Sequence, residues 1–265
     1  MQRQMTAVIE RPVLKKCAAL ILFLLVLGTF CLLPTEGPAG ELTVGTSTGY
    51  PPYYFLENGV LTGACVEIVS LTARTLGLTV IFKQYPWKRM LHSGKTGRVD
   101  AVMPLFKTTE RETFLIFPET ALALEENHFF TRRAAPVRFT GRLTDIAPHP
   151  VGVVTGYSYG NAFDTATYLQ KIITKNDLNL MQMFKYRRFA AGVGNRHVVR
   201  YFADKAGGIH DLVFLEPPLT RAPLYIAFSR QKGHTQLTAE FAQVLRDFKT
   251  TPSYRDILKQ YGMAP

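Results

Sequence analysis

Cysteine is scarce in this chain of 265 residues: there are three, and Cys17 and Cys31 both fall within the first forty. Cys65 alone remains beyond them, so the body of the protein can form no internal disulfide. At helical spacing with Ile68, Val69, Thr72 and Leu76 it reads as a small apolar residue on a buried face. Long runs of one charge are also missing. The net charge of +11 is spread thinly, with nothing beyond pairs such as Arg132-Arg133 and Arg187-Arg188. No zinc-finger or helix-turn-helix spacing accompanies it. Nucleic acid is therefore not the expected partner, and the excess of positive charge suits solubility and the attraction of small anions. The six histidines include no H-E-x-x-H or other metal spacing, and no glycine-rich phosphate loop occurs. No carboxylates form a catalytic pair, so neither a cofactor nor a metal is expected.

One long hydrophobic run is present, and it lies at the start. Arg3, Arg11, Lys15 and Lys16 precede an apolar stretch from Cys17 to Leu33, and Gly37, Ala39 and Gly40 follow it. That is the tripartite pattern of a secretory signal peptide over residues 1–40. A membrane anchor is the alternative, but 17 residues is short for a span, and the small residues sit where a peptidase would cut. Phe30 before Cys31 excludes a lipoprotein signal. Taking the leader's four basic and two acidic side chains from totals of 31 and 20 leaves the mature chain at +9. An exported protein, in the periplasm, is expected.

From Glu41 onwards strand-like and helix-like segments alternate. ELTVGT reads as a strand, GACVEIVSLTARTLG as a helix, LTVIFKQY as a strand, WKRMLHSG as a short helix and RVDAVMPL as a strand. This order implies a parallel sheet covered by helices. The pattern restarts after Arg133 with PVGVVTG as a strand and a helix through Phe163 and Leu169. LNLMQMF follows as a strand, then a helix near Arg188–Ala191 and a weak strand near Val198–Phe202. LYIAFSR is a further strand, and two helices close the chain. Two α/β lobes with a cleft between them are expected, the chain crossing near Phe129–Arg133 and returning near Tyr225–Ser229. Ligands of such sheets bind at the carboxyl ends of the strands.

One motif stands in such a position. Gly156-Tyr157-Ser158-Tyr159-Gly160 matches G-x-S-x-G, the nucleophile elbow, after a strand and before a helix. A hydrolase also needs an oxyanion loop, an acid and a histidine. No HGGG-like stretch precedes Ser158, and Asp204 and His234 have no supporting pattern. The same turn can instead offer an anion its backbone N–H groups and hydroxyl at a helix amino terminus.

The segments YPPYYFLENGVLTGACVEIV, PWKRMLHSGKTGRVDAVMPLFKTTERETFLIFPE and LYIAFSR together resemble the family 3 extracellular solute-binding proteins, over nearly all of residues 41–265. The resemblance implies an α/β, two-lobe periplasmic binding protein type II-like fold, with a parallel-rich sheet in each lobe and a two-strand hinge. Lobe 1 would be residues 41–131 completed by the returning helices of 230–265, and lobe 2 residues 132–229. It implies that Arg111 grips a ligand carboxylate, as a guanidinium fork can. Tyr50 would cover one face of the ligand and Trp87 the other, and Gly156, Tyr157 and Ser158 would complete the carboxylate site. It implies binding without catalysis, by a monomer that hands a small anionic solute to a membrane permease or sensor receptor.

The departures bear on the ligand. Phe106 stands where relatives place a serine or threonine five residues before the arginine, and Ser47 where some place an acid. The acid for a ligand's amino group is expected after a turn at Gly194-Asn195-Arg196-His197, where Phe202 stands instead, with Asp204 two residues beyond. The carboxylate handle is kept and the amine handle looks lost, so a carboxylate-bearing solute without a free α-amine is expected. Tyr50, Trp87 and Phe106 would cover its body. Two alternatives remain: a dehydratase-like enzyme on the same scaffold, with Glu216 and His197 as weak proton-transfer candidates, and a degenerate pair of lobes that binds a peptide or protein.

Overall fold

A computed structural model describes residues 40–263 apart from residue 136. All but the last residue of the expected leader lies outside the described residues.

The first half folds as its pattern predicts. Strands β1 (Gly40–Thr46), β4 (Leu78–Gln84) and β5 (Ala101–Phe106) run parallel, with β1 between the other two. Helix α1 (Ala64–Thr75) buries Cys65, Ile68, Val69, Thr72 and Ala73 along one face, the i, i+3, i+4 stripe of an amphipathic helix. Helix α2 (Trp87–Lys95) is pinned by the buried Met90. A hairpin of β2 (Phe55–Glu57) and β3 (Val60–Thr62) turns on Asn58 and Gly59, both at positive φ. A single turn, α3 (Thr109–Glu112), carries Arg111 and is capped by Thr108. Two further strands, β6 (Leu115–Ile116) and β7 (Ala123–Arg132), lead across the molecule.

Beyond β7 come β8 (Val151–Val154), the single turn α4 (Asn161–Asp164), β9 (Lys171–Thr174), α5 (Asp177–Lys185), β10 (Ala191–Asn195), α6 (Arg196–Lys205), β11 (Leu212–Phe214) and β12 (Thr220–Ser229). The chain ends in α7 (Thr235–Phe248) and α8 (Pro252–Gln260). Here the sequence reading needs correction. LNLMQMF is helix α5, not a strand. It holds no β-branched residue, and Leu180, Met181 and Phe184 bury together on one helical face. The Arg188–Ala191 segment forms no helix but leads into β10, and Val198–Phe202 lies inside α6, started by Asn195 accepting from the N–H groups of His197 and Val198. Gly194–His197 is thus a strand-to-helix junction rather than the turn that was expected.

The crossing also differs in register. The described strands of the main sheet form one hydrogen-bonded path, β4-β1-β5-β12-β7-β10-β8-β9, with β6 and β11 attached to β12 and β7. Both crossing strands are ten residues long, about 33 Å at the usual rise, so each pairs on both sides. Ala123–Asn127 pairs with Thr220–Leu224. The segments expected side by side do not pair with each other: Phe129–Thr131 pairs with β10, and Leu224–Phe228 with β5. Apolar groups gather on either side of the crossing. One set is drawn from residues 42–123 and 224–263, the other from residues 129–219.

Candidate functional site

Four loops leave the carboxyl ends of parallel strands and converge. β1 leads to Tyr50, β4 to Trp87 at the first position of α2, β5 through Phe106 to Arg111, and β8 to Gly156–Ser158. Six of the seven expected residues, Tyr50, Trp87, Phe106, Arg111, Tyr157 and Ser158, line one cavity of about 30 Å³ together with Tyr54, Glu125 and Asn127. That is room for about one water molecule. The seventh, Gly156, meets them through its carbonyl.

Arg111 is the centre of this arrangement. Its side chain is 5% exposed, yet among the described residues it makes no ion pair. Nη1 donates to the Phe106 carbonyl at 2.7 Å and Nη2 to the Gly156 carbonyl at 3.2 Å. The guanidinium lies over the Trp87 ring at 5.4 Å. Burial pulls its pKa down to about 10, against the nearby charges of Glu110 and Asp164, which favour the cation. A buried cation held only by carbonyls and a π-face has capacity for an anion.

The Gly156 carbonyl receives a second donor, Trp87 Nε1 at 2.9 Å. Gly156 has φ +75°, and a Cβ there would lie 3.2 Å from the same indole nitrogen. A side chain is therefore disfavoured both by conformation and by the close approach.

Ser158 has a carboxylate for a partner, not an imidazole: its Oγ donates to Asp164 Oδ2 at 2.5 Å, and Asp164 Oδ1 accepts from the Tyr159 N–H at 2.9 Å. The helix beyond is one turn and begins three residues later, at Asn161. The helix amino terminus expected beyond Ser158 is thus a single short turn, and two neighbouring N–H groups are already engaged, Tyr157 with Val154 and Tyr159 with Asp164. The loop turns a carbonyl, not N–H groups, toward Arg111.

Two acids that the sequence reading did not single out lie in this region. Glu125, on β7, is 2% exposed and accepts a hydrogen bond from the Tyr50 hydroxyl. Burial pushes its pKa up to about 8, with Asp177 adding to the rise and the Tyr50 hydrogen bond opposing it. Asp177, the first residue of α5, accepts from the Tyr157 hydroxyl at 2.8 Å, and burial raises it to about 6. No local sequence pattern marked Glu125, and its place shows only in the burial of the strand. Leu124 is 47% exposed while Glu125 is buried, so the alternation runs with its polarity inverted. A charged residue on the buried register is a mark of function.

The other candidates lie elsewhere. Asp204 sits exposed near the end of α6, and Glu216 pairs with Arg196 away from the cavity. His197 is exposed and lines a separate groove with Arg196 and His128. Neither Glu216 nor His197 reaches Arg111's cavity. Among the described residues no three His, Cys, Asp or Glu side chains gather where a metal ion could sit.

Comparison with known proteins gives concordant results. Residues 42–264 match the model of the bacterial extracellular solute-binding proteins, family 3. The L-cystine-binding protein TcyA of Bacillus subtilis (strain 168) is 39% identical over 75 residues, which is 28% of this chain and 28% of that protein. Among solved structures, a histidine kinase sensor domain with similarity to periplasmic binding proteins superposes with TM-score 0.75 at 21% identity. The match covers 86% of this chain and 99% of that one. An ancestral arginine-binding protein bound to arginine gives 0.73 at 21% identity, over 85% and 99%.

Proposed function

Because the chain belongs to family 3 of the bacterial extracellular solute-binding proteins, we propose that it captures a small carboxylate-bearing solute between two lobes. It then delivers that solute to a membrane transporter or a sensor receptor. The lobes are residues 41–131 with 230–265, and residues 132–229, joined where β7 and β12 cross. In this reading the protein is exported to the periplasm with residues 1–40 as its signal peptide, acts as a monomer and performs no catalysis. Arg111 supports it most: a guanidinium buried in a cavity, without a carboxylate partner among the described residues, and held by carbonyls that an anion would replace. Tyr50, Trp87, Phe106, Tyr157 and Ser158 form the walls. A cavity this small admits a solute only when the Arg111 and Gly156 sides separate, and the two strands that cross between them are the place to bend.

A thermal-shift screen tests the reading, because a solute bound only by the folded state raises its melting point. Carboxylates are expected to stabilise the wild type and not Arg111→Ala. Stabilisation of both proteins alike, or of neither, would remove Arg111 from the site.

A further inference from the structure

A second concavity lies on the far face of the crossing. Alternate residues of a strand point to opposite sides. On β7, Glu125 and Asn127 line the Arg111 cavity, whereas Leu124, Glu126 and His128 line a groove of about 630 Å³ behind it. That volume falls within the range of small-molecule sites, roughly 300–1,000 Å³. The other walls come from β12, the start of α6 and the segment from Lys249 to Met263.

Positive charge gathers there. Arg196, Arg221, Lys249 and Arg255 line the groove with His128 and His197, against the single carboxylate of Glu126. Glu126 pairs with Arg221 at 3.3 Å, and Glu216 pairs with Arg196. Lys249 and Arg255 make no ion pair among the described residues. Each donates to one carbonyl, Lys249 to Ala121 at 3.0 Å and Arg255 to Thr250 at 3.2 Å, and has donors to spare. The first turn of α6 holds Arg196 and His197 and no acid, the reverse of what the helix dipole favours. Burial, with Arg200 and Arg196, pulls His197 below its ordinary pKa.

His128 supplies an independent observation. It is 2% exposed, and its Nε2 has no hydrogen-bond partner. Glu126 Oε2 stands 3.6 Å from that nitrogen, too far to serve it. On the other side of the ring, Arg196 Nη2 lies 3.2 Å from Nδ1. A guanidinium can only donate, which favours the tautomer with its proton on Nε2. The Leu215 carbonyl, 3.3 Å from Nδ1, is served as well only by the imidazolium. In either form Nε2 is a buried donor in want of an acceptor, on the side of the groove.

We propose that the groove is a second binding site, for a soluble anion bearing phosphate groups, with one oxygen accepting from His128 Nε2 and others meeting Lys249 and Arg255. Cations on several elements face one space, so the ligand must present charged oxygens in several directions. A phosphate or pyrophosphate does so, and a lone carboxylate does not. A histidine at the floor of a concavity suits a free anion rather than a flat lipid surface. Entry requires Glu126 to move aside; its side chain is 44% exposed and can turn toward water with Arg221. Once occupied, the groove would tie α6 to α8 across β7. The proposal does not depend on the carboxylate reading of Arg111.

Calorimetry of the full protein with pyrophosphate and with inorganic phosphate, at pH 7 in a phosphate-free buffer, tests it. Arg111→Ala is the reference, because phosphate could also enter the cavity at Arg111. Pyrophosphate is expected to bind that variant as tightly as the wild type. Adding His128→Phe, which keeps a ring and removes the donor, should weaken binding about tenfold or more, and Lys249→Gln and Arg255→Gln should each weaken it about three- to tenfold. Loss of binding in Arg111→Ala would place the anion in the first cavity and overturn the proposal. Weakening by the Lys249 and Arg255 variants but not by His128→Phe would reveal diffuse attraction to a charged surface, and overturn it too. So would binding to phosphatidic acid vesicles with no binding of either soluble phosphate, or no binding of any of the three. Should His128→Phe fail to fold, nitrogen NMR of the Arg111→Ala protein decides: the His128 Nε2 signal must shift when pyrophosphate is added, and an unmoved signal refutes the site.

Discussion

Replacing Arg111 with methionine should separate binding from stability. The shift of the guanidinium from 12.5 to about 10 means that folding opposes its charge by about 3 kcal/mol, at roughly 1.4 kcal/mol per pKa unit. Methionine fills a similar volume without that cost. Against the gain, the Phe106 carbonyl loses its donor, a loss of about 1–3 kcal/mol for a buried acceptor; the Gly156 carbonyl keeps Trp87. The two effects nearly cancel, so Arg111→Met without added solute should unfold in urea within about 2 kcal/mol of the wild type. Solute binding should weaken by about two to three orders of magnitude, because a buried carboxylate deprived of its cation costs about 3–5 kcal/mol. Urea titration followed by circular dichroism gives the first quantity, and calorimetry with the best probe of the thermal screen gives the second. A stability loss of 4 kcal/mol or more, with binding intact, would show that Arg111 is a structural group and not a ligand-holding one.

Three further outcomes are open to measurement. Glu125 has a folded pKa above its ordinary value, so it favours the folded state while protonated and weakens it as pH rises from about 4.5 to about 8; E125Q should flatten the part of that decline above about pH 7, where Asp177, raised to about 6, is mostly ionised, in melting curves taken at a series of pH values. Asp100 behaves oppositely: burial would raise it, but hydrogen bonds from Thr43 and His234 and the nearby Lys232 hold it at about 2. Its contribution, about 1–2 kcal/mol after allowance for water at the rim, is present above pH 4 and fades as pH falls through 2, so Asp100→Asn should lower the urea midpoint at pH 7 and differ little from the wild type in strong acid. Gly192→Ala would set a Cβ 2.2 Å from Cζ of the buried Phe130 ring and should cost about 1–3 kcal/mol; a variant that melts like the wild type would mean that the ring moves aside freely.

The first half of the fold was legible because its residues obey one rule at a time. ELTVGT and LTVIFKQY are rich in β-branched residues, and α1 buries a regular stripe. The second half misled where composition and periodicity disagree. An apolar run of leucine and methionine passed for a strand until Leu180, Met181 and Phe184 were seen on one face of α5. β10, by contrast, is AGVGN, whose Gly192 makes room for Phe130 and Gly194 for Val199, and glycines are poor strand formers in isolation. Among the residues that line the cavity, Arg111 and Tyr50 were pointed to by the family resemblance of the segments around them. Glu125 was not, because its burial arises from a crossing strand covered on both sides by segments far away in the chain, and no short pattern encodes that covering.

Trp87 is the only tryptophan in the chain, and its indole touches the Gly156 carbonyl, the Tyr157 ring and the Arg111 guanidinium. The protein therefore carries a built-in optical gauge. All of its indole fluorescence comes from one spot, with no other tryptophan to dilute the signal. Moving Gly156 away from the ring would exchange a backbone carbonyl for water at Nε1 and redden the emission; bringing the two sides together around a solute would reverse it. Stopped-flow mixing can follow that colour change without any attached dye. It would report the rate at which the two sides of the molecule meet, separately from the heat that calorimetry records.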